Sequence, residues 1–331
     1  MKRKSQLHLL VLIFMISFGM SAKADPLPSW QAGAVKDSIL QFVHEVTDQA
    51  GPNYVPPAHR IATFDNDGTL WVEQPAYTQV IYMFNRVKQL SPQHPEWKEQ
   101  PPFNVILSGD RKALASLTMQ EYEEAIAATH AGMTVDAFIQ SVQDWLATAK
   151  SPRFNRPYTE LIYQPMREVM RYLRANQFKI YIVSGGGQEF VRAFAERIYD
   201  VPTDAVIGTA TKTKYTYQGN QPVLIKMPAM LFIDDKFGKP EAINLFIGRK
   251  PIIAFGNSDG DREMLEWTQS GTGKRLMLLV HHDDAKREYA YGPQSKVGTF
   301  SASLMEEAKK NKWQIISMKK DWKFIFPFER K

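Results

Sequence analysis

The sequence predicts an α/β protein, a Rossmann-like parallel sheet with a helical cap domain inserted after its first strand. Short runs of β-formers alternate with amphipathic helical runs from Ile61 onward, the pattern of βα units. Three strand candidates end in polar or glycine-rich text, "FDNDGT", "VSGGG" and "FGNSDGD", and the carboxyl ends of parallel strands are where functional loops gather. Between Pro75 and Pro165 the text is mostly helical. With 331 residues, 44% of them hydrophobic, there is material for one large core or a core with a sizeable insertion.

Residues 1–24 have the layout of a secretory signal peptide: basic "MKRKSQLH", apolar "LLVLIFMISFGM", then small Ala22 and Ala24 at a cleavage site. The apolar run is short for a bilayer, so cleavage is expected over a retained anchor, with the mature chain starting near Asp25. No other stretch approaches transmembrane length, so no stable membrane anchor is expected after cleavage. A secreted location follows, and a bacterial periplasm fits the short leader and the absence of cysteine. The net charge of +6 is scattered rather than clustered, so a nucleic-acid partner is not expected. A basic groove serves an anionic small molecule equally well.

In chain order, Val35, Ile39, Phe42, Val43 and Val46 recur at helical spacing, "GPNYVPP" breaks the helix, and Arg60 to Phe64 forms the first strand. "YTQVIYMFNRVKQL", "RKALASLTMQEYEEAIAATH" and "TVDAFIQSVQDWLATA" read as amphipathic helices, the last capped by Thr134, with proline-rich breaks from Ser91 to Phe103. "EVMRYLRANQF" is a helix, "KIYIVSGGG" a strand running into a glycine turn, and "QEFVRAFAERIY" a helix. A hairpin turns at Gly219-Asn220, "AMLFIDD" is a strand or its stub, and "KPEAINLFIG" a helix. "KPIIAFGNSDGD", "REMLEWT" and "RLMLLVHHDD" then give strand, helix and strand. The core is expected over 25–72 and 166–331, and the cap over 73–165.

The chemistry concentrates at the strand ends. Asp65 and Asp67 end a greasy strand one residue apart, and two such carboxylates cannot sit there unpaired without a large cost. A divalent cation offsets the repulsion, and hard oxygen donors without cysteine or nearby histidine point to Mg²⁺. Such a cation also takes phosphate oxygens, so a carboxylate beside it is suited to phosphoryl transfer.

"DNDGT", then "SGG", a lysine in "GKPEAI", and "GNSDGD", in this order from about Ile61 to Val280, resemble the four motifs of the haloacid dehalogenase superfamily, most nearly its phosphatases of the phosphoserine-phosphatase type. The resemblance implies a phosphomonoesterase acting on a small phosphate ester. Asp65 would be the nucleophile, and Asp67 the acid and then the base, its carbonyl also reaching the metal. Thr69 and Ser184 would meet the phosphoryl oxygens, with Gly185 and Gly186 offering backbone N–H groups where a helix starts. Lys239 would neutralise charge on Asp65 and phosphate. Asp65, Asp67, Asn257 and Asp261 would form the Mg²⁺ site. Members that cleave carbon–halogen bonds lack the acid at the position of Asp67, so a dehalogenase is the rival reading it disfavours; a phosphotransferase or an exported binding protein without turnover are the others.

The fourth motif departs from the family. Its usual aspartate after glycine is here Asn257, with Asp259 and Asp261 following. Either Asn257 is a neutral ligand, or Asp259 takes over through a shifted loop. The first account is preferred on spacing, and it expects Asn257→Asp to tighten Mg²⁺ binding or leave activity intact. Lys226 and Lys236 rival Lys239, which is preferred because it opens a helix. Asp234-Asp235 reads as a strand-end pair, and "HHDD" (His281 to Asp284) as no metal site but a possible substrate rim. The aromatic and basic tail from Lys312 is expected to pack on the core with its lysines outward. The cap aromatics are expected to be mostly core.

Overall fold

The structure, a computed structural model, describes residues 24–330. The predicted leader, Ala24 apart, lies outside the described residues. Helix α1 (Ala34–Thr47) buries the stripe its periodicity predicts, Val35, Ile39, Phe42, Val43 and Val46, and a proline-rich turn leads into β1 (Ile61–Phe64). A helical block follows: α2 (Thr78–Leu90), α3 (Phe103–Ser108), α4 (Arg111–Leu114), α5 (Met119–His130) and α6 (Val135–Thr148). A small hairpin, β2 (Lys150–Ser151) and β3 (Arg156–Pro157), closes it. The chain continues through α7 (Gln164–Ala175), β4 (Lys179–Gly187), α8 (Gln188–Tyr199), β5 (Val206–Gln218) and β6 (Gln221–Phe232). After these come α9 (Gly238–Ala242), drawn out by a π turn, then β7 (Ile253–Gly256), α10 (Arg262–Gln269) and β8 (Leu276–His281). The last elements are α11 (Ala302–Lys310), β9 (Gln314–Ser317) and α12 (Met318–Asp321).

Among the described residues the main sheet has seven strands in the order β6-β5-β4-β1-β7-β8-β9. All neighbours run parallel except the β5–β6 hairpin. Strand β1 is central, with Phe64 opposite Ile182 of β4 and Phe255 of β7. All four of its residues are buried, as a strand covered on both faces requires. Phe64 stacks on Phe255 at 4.4 Å, and the ladder carries one residue further, Asp65 N–H donating to Phe255 O at 2.9 Å. Burying such a ring is worth about 1.5–3 kcal/mol, so the first catalytic candidate is pinned by core packing.

The helical block has a small core of its own around Met83, Val87, Trp97, Phe103 and Ile106. It is not a separate body, because Phe138, Val142 and Leu146 of α6 share the main core with Phe190 and Phe194 of α8. The hairpin arm ties it down further. The Lys226 backbone exchanges hydrogen bonds with Gly132 and Met133, both 2.9 Å, and its ammonium pairs with buried Glu189 at 2.8 Å.

Several readings need correction. "AMLF" is no separate strand but the end of β6, since it continues the antiparallel ladder with β5. The long helix expected from Arg111 is two, α4 and α5. Thr118 starts the second with a capping box to Glu121, a device worth about 1 kcal/mol that the "TMQE" text encodes. Helices α3 and α11 were not expected. The tail does pack on the core: Ile316, Met318, Trp322, Ile325 and Phe326 are buried while Lys319 and Lys320 face solvent. Most cap aromatics are core, Tyr82 and Trp97 among them. No helix among the described residues is long and apolar enough to cross a membrane.

Candidate active site

The carboxyl ends of β4, β1 and β7 bring three of the singled-out motifs side by side. After Asp65 the chain reverses in a tight turn in which Asn66 O accepts from Leu70 N at 2.8 Å and Gly68 N donates to Trp71 O at 2.8 Å. Gly68 is needed there twice over. Its φ is +74°, and a Cβ would fall 2.2 Å from Asn257 Nδ2 and 2.3 Å from Glu73 Oε1.

Lys239, opening α9, reaches under this turn. Its Nζ donates to Asp65 Oδ1 at 2.7 Å, Asp261 Oδ1 at 2.6 Å and Val183 O at 3.0 Å, and the side chain is 2% exposed. Burial works against its charge, but Asp261 and Asp65 outweigh that and hold the ammonium protonated. Of its rivals, Lys226 is engaged by Glu189, and Lys236 is exposed, its backbone N–H donating to Gly260 O. One ammonium shared by two carboxylates does not satisfy both. Burial, with the charge of Asp261 added, pushes Asp65 well above the usual carboxylate range against the pull of Lys239.

Asp67 has a different partner. Trp71 Nε1–H donates to its Oδ1 at 2.7 Å, and the indole is fixed by stacking on Phe194 at 4.5 Å. Desolvation pushes Asp67 up to about 6, against the pull of that bond. Its Oδ2, the Ser184 hydroxyl and Gln79 Oε1 all lie beside Gly186, within 3.5 Å of a Cβ built there.

The predicted phosphate-binding groups are only partly arranged as expected. Ser184 is fully buried at the end of β4, its Oγ accepting from Gly186 N at 3.1 Å, so Gly186 donates to the serine rather than into the site. Gly187 N donates to Gln79 Oε1 of α2 at 2.7 Å, a contact between helical block and glycine run that the sequence did not disclose. Gly185 remains at the exposed strand end. Thr69, expected to face phosphate, is buried and donates to Asn257 Oδ1 at 3.1 Å.

Around the fourth motif, Asp261 Oδ1 takes Lys239, and Oδ2 takes the N–H groups of Asn257 and Ser258 at 2.9 and 3.0 Å. It braces the loop and the lysine rather than offering an unoccupied oxygen. Asp259 turns away to cap α11 through Ser301, at 3.1 Å from N and 2.8 Å from Oγ. Asn257 is buried in the site, its Nδ2 donating to Glu73 Oε1 at 2.6 Å. An aspartate at 257 would set a second carboxyl group against Glu73.

Glu73 is the residue that sequence reasoning missed. It is 2% exposed, accepts from Tyr291 Oη at 2.6 Å, and burial pushes it well above its usual range. The signal available was an acid closing the apolar run "LWV", an uncommon place for a carboxylate. The "HHDD" text acts from behind the site: His282 Nε2–H donates to Gly68 O at 2.7 Å, and its Nδ1 lies 3.1 Å from Glu288. Asp234, just past β6, is fully buried and pushed up to about 7, desolvation outweighing the nearby Lys239.

Among the described residues no three histidine or carboxylate side chains converge as a ready metal cage. What is present is a surplus of buried acids, Asp65, Asp261, Asp234 and Glu73, around the Lys239 ammonium, with the amide oxygen of buried Asn257 as a neutral hard donor. That donor set fits Mg²⁺, which keeps several waters and takes one or two carboxylates with the substrate's phosphate. A cavity of about 560 Å³ lined by Arg249, Lys250, Lys274 and Arg275 lies with Pro52–Pro56 before β1, away from these strand ends.

The family model for haloacid dehalogenase-like hydrolases matches residues 62–266. Similar solved structures include a conserved functionally unknown protein from Anaerococcus prevotii DSM 20548, 15% identical over 85% of this chain and 91% of that one, with a TM-score of 0.54. A protein with unknown function from Bordetella pertussis Tohama I is 15% identical over 78% and 98%, with a TM-score of 0.49. A phosphoserine phosphohydrolase-like protein from Francisella tularensis subsp. tularensis SCHU S4 is 16% identical over 67% and 88%, with a TM-score of 0.37. No curated protein matches the sequence. At such identity the first of these structures speaks for the fold alone. The family match says more, because it begins inside β1 and ends within α10 and so takes in the ends of β1, β4 and β7 together with Lys239: the chain belongs to the haloacid dehalogenase-like hydrolases.

Proposed function

We propose that this hydrolase is a Mg²⁺-dependent phosphomonoesterase that works through an aspartyl-phosphate, on a small phosphate ester met after export, in a bacterial periplasm. The observation that carries the reading is the buried Lys239 ammonium 2.7 Å from Asp65 Oδ1 at the end of the central strand, with Asp67 two residues on. Lys239 engages Oδ1 and leaves Oδ2 to attack phosphorus. As the P–O bond to the alcohol breaks, Asp67 gives the departing oxygen its proton. Asp67 then takes a proton from water as that water attacks the acyl phosphate, releasing inorganic phosphate and restoring both carboxyl groups. Ser184 Oγ–H is free to donate to a phosphoryl oxygen, since the hydroxyl only accepts from Gly186.

Asp65, the Asp67 carbonyl and Asn257 Oδ1 would hold Mg²⁺, and Asp261 would fix the loop that presents Asn257. When bound, the cation offsets charge on Asp65 and on the phosphoryl oxygens. The retained acid at Asp67 favours phosphoryl over carbon–halogen chemistry.

The test is phosphate release from a chromogenic phosphate ester by the purified chain, with Mg²⁺ and with chelator, beside Asp65→Asn. The parent should turn over only with Mg²⁺, and Asp65→Asn should lose roughly a thousandfold or more, the scale for removing a covalent nucleophile. An Asp65→Asn protein within tenfold of the parent would place the nucleophile elsewhere.

A further inference from the structure

We propose that the cavity at the amino ends of β1, β7 and β8 is a second binding site, for a small organic phosphate. It lies at the opposite end of the strands from the catalytic carboxylates, since Pro56 and His59 of its lining lead into β1 and Ile252 leads into β7. The four residues of β1 alone, at about 3.3 Å each, put roughly 13 Å between the two ends. Its volume of about 560 Å³ is that of a small-molecule site and far exceeds a lone phosphate.

Two dibasic pairs from different loops meet here, Arg249-Lys250 before β7 and Lys274-Arg275 before β8. Among the described residues, no aspartate or glutamate lines the cavity, and Glu45 of α1, paired with Lys274 from behind, is the one carboxylate bridged to any of the four. The bland account is that these cations serve helix C-termini, since α10 and the π turn after α9 both end next to the lining. A helix end carries about half a negative charge, so Glu45 and the two ends leave a surplus of roughly two positive charges. A phosphate dianion matches that surplus.

The donors are in place without a ligand. Lys250 Nζ sits 3.8 Å over the Trp267 ring and donates to Ser270 Oγ at 2.7 Å. Arg275 donates to Pro251 O at 2.9 Å and to Thr272 O, and its guanidinium packs against Gly271, where a Cβ would fall 2.6 Å from Cζ. The turn between α10 and β8 adds backbone donors. Gly273 takes φ +78°, and the N–H groups of Thr272, Gly273 and Lys274 meet no acceptor among the described residues. Successive free N–H groups in such a turn form an anion-binding nest. Another part of the lining is apolar, from Pro52, Tyr54, Val55 and Pro56. That loop is held by Val55 N donating to Val46 O at 2.9 Å and Arg60 Nε to Val55 O at 2.8 Å. A charged end for the glycine turn and an apolar body for this wall describe a phosphate carried on an organic group.

Calorimetry on the full mature chain in chelator, with phenylphosphonate and inorganic phosphate as probes, tests this. A phosphonate has no ester bond to hydrolyse. One phenylphosphonate should bind per chain, about tenfold or more tighter than inorganic phosphate. Arg249→Glu, at an exposed position, should weaken it about tenfold or more, while Lys319→Glu, the same charge change at an exposed site elsewhere, should stay within about threefold of the parent. Unchanged affinity in Arg249→Glu, an equal loss in Lys319→Glu, or no binding by the parent at about 1 mM phenylphosphonate overturns the site. Equal affinity for inorganic phosphate overturns the organic body, and affinity for single-stranded oligonucleotides that grows with their length overturns a small ligand. None of these measurements depends on Mg²⁺ or on turnover.

Discussion

Lys239→Met is the sharpest test of how the site holds its charge. Methionine keeps an unbranched stem and removes the ammonium, which now bridges Asp65 at 2.7 Å and Asp261 at 2.6 Å with 2% exposure. Without metal, both carboxylates are then buried with no cation between them, and removing one partner of a buried ion pair costs about 3–5 kcal/mol. The sign of the pH dependence follows from Asp65. Burial and Asp261 already push it up, and losing Lys239 pushes it further. A folded-state value above the unfolded one means the folded protein binds more protons, so the variant regains stability as pH falls towards the unfolded value near 4. Each pH unit returns up to about 1.4 kcal/mol per proton. The deficit should therefore be largest at about pH 8 and mostly recovered at about pH 5. Urea unfolding followed by tryptophan fluorescence in chelator, parent against variant at both pH values, reads this directly. A deficit under about 1 kcal/mol, or one equal at the two pH values, refutes the claim that Lys239 is the counter-charge of both aspartates.

Asp67→Asn should slow esters with poor leaving groups far more than those with good ones, because only the former need the acid; equal losses in the phosphoryl-transfer step would remove Asp67 from that role. His130 is buried beside Tyr82 and Phe138 and held down to about 3, by burial and then by Lys226. The unfolded state therefore binds its proton first, and stability should fall by about 1.4 kcal/mol per unit below about pH 6.5. His130→Gln should flatten that limb, and an unchanged acid slope would show that another group sets it. Lys226→Met, which strands Glu189 in the core, should cost about 3–5 kcal/mol, whereas Lys226→Met with Glu189→Leu should recover most of it; additive losses in the double variant would count against a buried pair.

What the sequence made legible is what sits next to itself in the chain. Asp65, Asp67 and Asn257 follow buried strands, so the strand pattern put each near the carboxyl edge of the sheet, whereas Lys239 stood out only through the order of the family motifs it resembles. What stayed hidden depends on contacts between distant segments. Tyr291 and Glu73 are 218 residues apart, and Gln79 and Gly187 are 108 apart. No local pattern marks either pair. The hairpin was legible at Gly219-Asn220, but its reach over the helical block, with Lys226 buried against Glu189, was not. A lysine in an alternating strand reads as a solvent-facing residue until the helix that covers it is known.

The two aspartates of the first motif are separated in character by packing rather than by sequence. Asp67 is given an indole, a neutral donor fixed by the Trp71–Phe194 stack, and a desolvated setting that pushes it up to about 6. A group so placed can exchange its proton near neutral pH, which is what the acid and base steps ask of it. Asp65 is given a lysine, but a lysine that Asp261 shares, so its ionisation is left incomplete by the protein alone. Attack on phosphorus needs that carboxyl ionised, and the charge still lacking is the kind a divalent cation supplies. On the proposed function the nucleophile is therefore active only where the cation is bound.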